Sequence, residues 1–217
     1  MTWQWLAPLV VAAAVASVTP RVLLALPAPI DEPDSRPYDA LATRAVALTT
    51  FLLVGVAGVV VAALAPAATS AWLGLGTAGV LAAVVDARTG YLPTVLMRVG
   101  WVLTAGGLIA ATASTNDWQL LARAAGGALA ATALFYTFHR IGGGFGFGDV
   151  RLAPIVAAPA AALGWTTLAG ALLLGGLLGV AWGLTWQALG RGKAFPYGPA
   201  LVAGPYLALL AGATLPP

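Results

Sequence analysis

Two aspartates, Asp86 and Asp149, hold the chemistry this sequence could do, because each stands at the end of a long uncharged stretch and apart from the acidic loop. Asp86 follows the apolar run Val80-Leu-Ala-Ala-Val-Val. It would close a helix whose C-terminal dipole already disfavours a second negative charge by ~0.3–1 kcal/mol. The residues after it, Arg88-Thr-Gly-Tyr-Leu-Pro93-Thr94, contain a glycine and a proline that stop the helix and turn the chain back. Pairing with Arg88, or hydration, would account for the same carboxylate structurally. Asp149 ends the segment Gly142-Gly-Gly-Phe-Gly146-Phe-Gly148 and opens the next helix, where Asp is a favoured N-cap at ~1 kcal/mol. Capping alone leaves unexplained the four glycines in the six residues before it, which allow another chain to approach closely. A phosphate cradle would need Lys and then Ser or Thr after the last glycine, and Asp-Val-Arg stands there instead. Two carboxylates brought together away from water share one proton, so that one acts as base toward a water and the other as acid. That is the chemistry of aspartyl peptide hydrolysis.

What could bring residues so far apart in the chain together is a membrane bundle. Of 217 residues, 60% are apolar and 8% charged, where ordinary soluble chains have ~45–50% and ~25%. Ten basic and seven acidic groups cannot coat a soluble domain. Backbone polar groups in hydrocarbon must be satisfied within their own segment, and runs this long and unalternating exclude a barrel. The expected fold is therefore all-α, a polytopic bundle of about eight spans near 3–24, 45–66, 69–86, 95–113, 118–139, 150–164, 166–189 and 199–214. The net charge of +3 is read as topology and not as nucleic-acid binding. With the polar stretch Pro27 to Asp39 in the cytosol, alternation puts Arg21, Arg36, Arg44, Arg88, Arg98, Arg140, Arg151, Arg191 and Lys193 near that face and only Arg123 near the other. Trp3, Trp5, Trp72, Trp118 and Trp165 then fall at the outer interface. The first span lacks a basic start and is expected to be retained. Asp86, Asp149 and the irregular segment Phe195-Pro-Tyr-Gly-Pro199 all emerge on the cytosolic side.

The Asp86 segment with Pro93 resembles the first active-site motif of the type 4 prepilin peptidases. Gly146-Phe-Gly-Asp149-Val-Arg-Leu152 is similar to their Gly-x-Gly-Asp-x-Lys-Leu motif, and Pro196-Tyr-Gly-Pro199 to their Pro-Phe-Gly-Pro. The resemblance covers roughly residues 65 to 217. It implies an intramembrane aspartyl protease of the Gly-x-Gly-Asp type, multi-pass in the inner (cytoplasmic) membrane, that removes the basic leader of type IV pilin-like precursors on the cytosolic side. It implies catalytic roles for Asp86 and Asp149, and site-supporting or substrate-binding roles for Gly146, Gly148, Pro93, Arg151, Pro196, Tyr197, Gly198 and Pro199. Thr94 stands where the family has Asn or Asp, Arg151 where it has Lys, and Tyr197 where it has Phe. Larger members carry a cysteine-rich insert after the first helix and also methylate the new terminus. This chain has no cysteine. Residues 1–43 are accordingly read as a first helix and short loop without that insert, residues 44–217 as the catalytic domain, and the activity as proteolysis without methyl transfer.

The other polar residues have plainer readings. His139, at the end of a helix, could join Asp86 and Asp149 as a third metal ligand, but a cation at a helix C-terminus is favourable in itself, and neither metal nor cofactor is expected. Arg151, two residues from Asp149 and on another helical face, reads as an interfacial anchor or headgroup contact. Asp117 reads as an N-cap. Gly175, Gly179 and Gly183 form a stripe for helix packing. The expected partners are a prepilin-like substrate and the bilayer, with no nucleic acid and with the oligomeric state open. Two rival functions stand beside this one. A solute or proton transporter would use such carboxylates as relays but place them near mid-bilayer, and a catalytically silent subunit of a pilus assembly would use Asp149 merely as a cap.

Overall fold

The computed structural model describes residues 3–29, 37–142, 146–191 and 195–214. Asp31, Glu32, Asp34 and Arg36 of the acidic stretch, Gly143 and Gly144 of the glycine-rich segment, and Lys193 lie outside these residues. Among the described residues the regular structure is helical throughout. The first helix, α1 (Trp3–Ala25), contains two prolines. Thr43 opens α2 (Arg44–Leu64) by accepting the Val46 N–H at 3.3 Å, which satisfies one of the orphan donors of a helix start. A proline begins the next segment, the 3-10 helix Pro66–Trp72, where its missing N–H is no loss. A π-helical turn, Leu75–Gly79, then runs into α3 (Val80–Thr89). After a turn come α4 (Thr94–Thr115), α5 (Trp118–Gly142), α6 (Phe147–Leu163), α7 (Trp165–Ala188) and α8 (Gly198–Thr214).

These are the expected helical segments, with one correction. The stretch expected as a single span from about 69 to 86 is broken, its two parts meeting at 60°. The bend comes where Gly74 lies so close to α4 that a Cβ there would meet the Thr104 hydroxyl and the Gly100 carbonyl. Five helices, α1, α2, α4, α5 and α7, are long and apolar enough to cross a bilayer, and the bent pair makes a sixth. The other two, α6 and α8, have 17 residues each, fewer than the ~20 of a full crossing.

Packing is by close approach of small residues, as helix association in lipid requires. In α5, Gly127 lies against Ala161 of α6, while Gly204 of α8 lies against the Ala171 carbonyl and Gly175 of α7. The central element is α6: Leu152, Ile155, Val156 and Pro159 are all fully buried. The outside is apolar, with Val102, Leu129, Leu173 and Val180 among many large side chains left bare. So much exposed hydrocarbon would be a liability in water; on helices of this length it marks a multi-pass membrane protein. Trp5, Trp118 and Trp165 are exposed, as interfacial rings should be. Trp72 is not. It is 2% exposed and packs on Tyr206 with ring centroids 5.5 Å apart, so the bend has turned it into the core. Asp117 caps α5 as expected, accepting the Gln119 and Leu120 N–H groups at 2.9 and 3.3 Å and pairing with Arg123 at 3.1 Å.

Candidate active site

Asp86 lies one turn before the end of α3, which stops at Gly90 because the chain there turns left-handed, with φ +72°. That conformation favours glycine. The Gly90 N–H donates to the Asp86 carbonyl at 2.8 Å, and Tyr91, Leu92 and Pro93 lead into α4. The Asp86 side chain is 4% exposed. Its Oδ2 accepts the backbone N–H of Gly198 at 2.8 Å, a residue 112 positions away that begins α8. A Cβ at position 198 would stand 2.7 Å from that oxygen. The glycine of the Pro196-Tyr-Gly-Pro199 segment is thus what lets a backbone donor reach a buried carboxylate. Arg88, the ordinary partner considered for Asp86, is exposed, and the ion pair seen among the described residues joins Asp117 to Arg123.

Asp149 is the third residue of α6 and not its cap. Its Oδ2 accepts the Gly146 N–H at 3.0 Å, and its own N–H donates to the Gly146 carbonyl at 3.1 Å. This is the returning half of a capping box, so the carboxylate serves the helix start and is buried at the same time, 7% exposed. Gly148, the residue before it, lies against Leu92 in the turn that follows Asp86. The structure therefore brings the two aspartates, from α3 and α6, and the start of α8 together at one end of the bundle.

The glycines around them have distinct reasons. A Cβ on Gly148 would come within 2.9 Å of the Leu92 Cβ, whereas one on Gly146 would meet nothing nearer than Asp149 Oδ2 at 3.7 Å. Gly148 is what lets α6 lie against the turn that follows Asp86. Gly148→Ala is expected to lower stability by ~1–3 kcal/mol as an overpacked contact, and Gly146→Ala, whose backbone N–H is kept, by well under half as much. Thermal unfolding of the two purified variants in one detergent checks the order.

The remaining expected residues are placed as follows. Pro93, buried, is the extended residue before α4 and Pro196 is buried beside the Asp86 contact, with Pro199 in the first turn of α8. Arg151 is turned inward and not toward headgroups. Its Nη1 donates to the Thr94 hydroxyl at 2.8 Å and its guanidinium lies over the Phe147 ring at 4.7 Å, a favourable cation–π geometry. Two of the three departures from the family pattern, Thr94 and Arg151, thus touch one another and tie α4 to α6. Trp101, which no motif marks, donates from Nε1 to the Arg151 carbonyl at 2.8 Å. His139 packs on Phe147, with centroids 5.5 Å apart, and among the described residues no three His, Cys, Asp or Glu side chains cluster as a metal site.

The glycine stripe of α7 does more than pack helices. Gly175 takes the backbone of α8, Gly179 is overlain by the Tyr197 ring, and Gly183 by the Phe195 ring. Tyr197 also packs on Phe135 and Phe195, at 6.3 and 6.2 Å between centroids. Position 197, read only from its neighbours in sequence, therefore joins α7 to the site: its ring lies on Gly179 and the next residue's N–H holds Asp86.

Comparison with curated proteins and with solved structures gives no match. A family description, the type IV leader peptidase family, matches residues 73–184, just over half of the chain, and takes in both aspartates but not the segment from Pro196 to Pro199. With that match, and with a helical membrane fold around it, the chain belongs to the type IV leader peptidase family.

Proposed function

We propose that the chain is an aspartyl endopeptidase of the membrane that cuts the basic leader from type IV pilin-like precursors, with Asp86 and Asp149 as its catalytic pair. The observation that supports this reading is the burial of two carboxylates from separate helices at one end of the bundle, each held through Oδ2 by a backbone N–H. In the proposed mechanism Oδ1 of each faces a water and the scissile peptide. With one proton shared between them, the ionised carboxylate takes a proton from the water as its oxygen attacks the carbonyl carbon. The protonated one donates to the carbonyl oxygen. Collapse of the tetrahedral intermediate breaks the C–N bond, and the amine leaves with the proton returned by the pair. No cofactor enters these steps.

The site faces the cytosol in this proposal, because the exposed arginines Arg21, Arg44, Arg88, Arg98, Arg140 and Arg191 fall at the ends of segments on that side. A basic leader stays in water there while the following apolar helix remains in lipid. Co-expression with a pilin-like precursor in the cytoplasmic membrane, followed by mass measurement of the product, tests the whole reading. The expected product is one shortened by its leader, with a free, unmethylated terminus. An unshortened precursor overturns the proposal, and added methyl mass overturns the absence of methyl transfer.

A further inference from the structure

An apolar groove of about 500 Å³ runs between α5 and α7. Leu134 and Phe138 form one wall, Leu173, Gly176 and Leu177 the other, and Tyr197 closes it at the site. Measured along α7 from Leu172 to Gln187, it is ~22 Å long at 1.5 Å per helical residue, most of the ~30 Å hydrocarbon thickness. Gln187 and the Tyr197 hydroxyl are the polar side-chain groups of its lining, and both lie at the end nearest the aspartates. One wall residue meets no neighbour among the described residues. A Cβ on Gly176 would meet nothing within 4 Å, whereas Gly175, Gly179 and Gly183 are each filled by a neighbour. A small residue on a helix in lipid is what a partner helix needs for close approach, and here no partner lies among the described residues.

We infer that this groove seats the apolar helix that follows the scissile bond of the precursor. The inference rests on the proposed peptidase reading and adds to it the path by which the substrate helix enters. What selects that occupant is continuity with the site: Tyr197 closes the groove, and the N–H of the next residue, Gly198, holds Asp86 Oδ2 at 2.8 Å. A helix lying in the groove would leave it at the aspartates, where the bond to be cut begins. Polar ends match too, because the precursor changes from apolar to basic at that point.

The test uses the full chain in membranes and a precursor made of a basic leader, a glycine and an apolar helix of ~20 residues. A photo-crosslinking side chain is placed at Leu177, in the groove, or at Val102, on the bare face of α4. Precursor is expected to be captured at Leu177 and not at Val102. Equal capture at both positions, or capture of phospholipid or a second copy alone at Leu177, overturns the inference. In parallel, Gly176→Leu fills the groove where the chain itself has no contact to lose. Its cleavage of the full precursor is expected to fall about tenfold while a leader peptide ending just past the bond is cut at the unaltered rate. Equal loss on both substrates, or none on either, overturns the groove with the peptidase reading intact. Capture at Leu177 by a chain that cuts neither substrate overturns the peptidase reading instead.

Discussion

Asp86→Asn and Asp149→Asn, made singly, are each expected to abolish leader removal while the protein accumulates in the membrane at its normal level. Asn is nearly isosteric with Asp, and its amide oxygen can still accept the Gly198 or Gly146 N–H that each aspartate holds now. Packing and helix starts are therefore kept, and what is lost is the ability to take or give a proton. Residues that act as a unit in one chemical step lose most of the rate when either is removed, so each single variant should fall by more than about a thousandfold and the double variant little further. Asp117→Asn is the control, since Asn is as good an N-cap as Asp and the residue caps α5 away from the site. The measurement is the fraction of precursor shortened, by mass, beside an immunoblot of the membrane fraction. Full cleavage by either variant would sink the dyad.

The second large effect is expected from Gly198→Ala, a change of one methyl group in a residue that takes no part in proton transfer. The new Cβ would stand 2.7 Å from Asp86 Oδ2 and 3.2 Å from its Cγ. Aspartate has too short a side chain to step aside in a buried position without giving up the Gly198 N–H. A hydrogen bond to a charged group is worth ~1.5–3 kcal/mol, so cleavage should fall about ten- to hundredfold. Gly212→Ala, on the same helix with nothing within 4 Å of the new carbon, should leave activity unchanged. Rates from a time course of precursor shortening decide it. If the two alanine variants behave alike, the contact between α8 and Asp86 is not what orients that carboxylate.

The Gly198 contact also marks the limit of what the sequence alone determines. Composition and unbroken apolar runs suffice for the helices, because in hydrocarbon a backbone has no other way to satisfy its polar groups. Asp86 and Asp149 were legible as well, since a carboxylate at the end of an apolar helix conflicts with its surroundings and the conflict is local. Asp117 as a cap was equally local, settled by its own loop and the first turn of α5. Whatever depends on two distant segments was not legible. The bend at Gly74, and with it the burial of Trp72, follows from how closely α4 passes. The turning of Arg151 onto Thr94 follows from how α4 and α6 lie beside one another. The glycine stripe of α7 looks the same in sequence whether it meets a helix backbone or an aromatic ring, yet only the second seats Tyr197 next to the Gly198 N–H that holds Asp86. One-dimensional pattern encodes each helix's solvent and its stops, because those are set by neighbours a few residues away. Which faces meet is set by shape across the bundle, and a glycine's meaning lies in the atom that occupies the space it leaves.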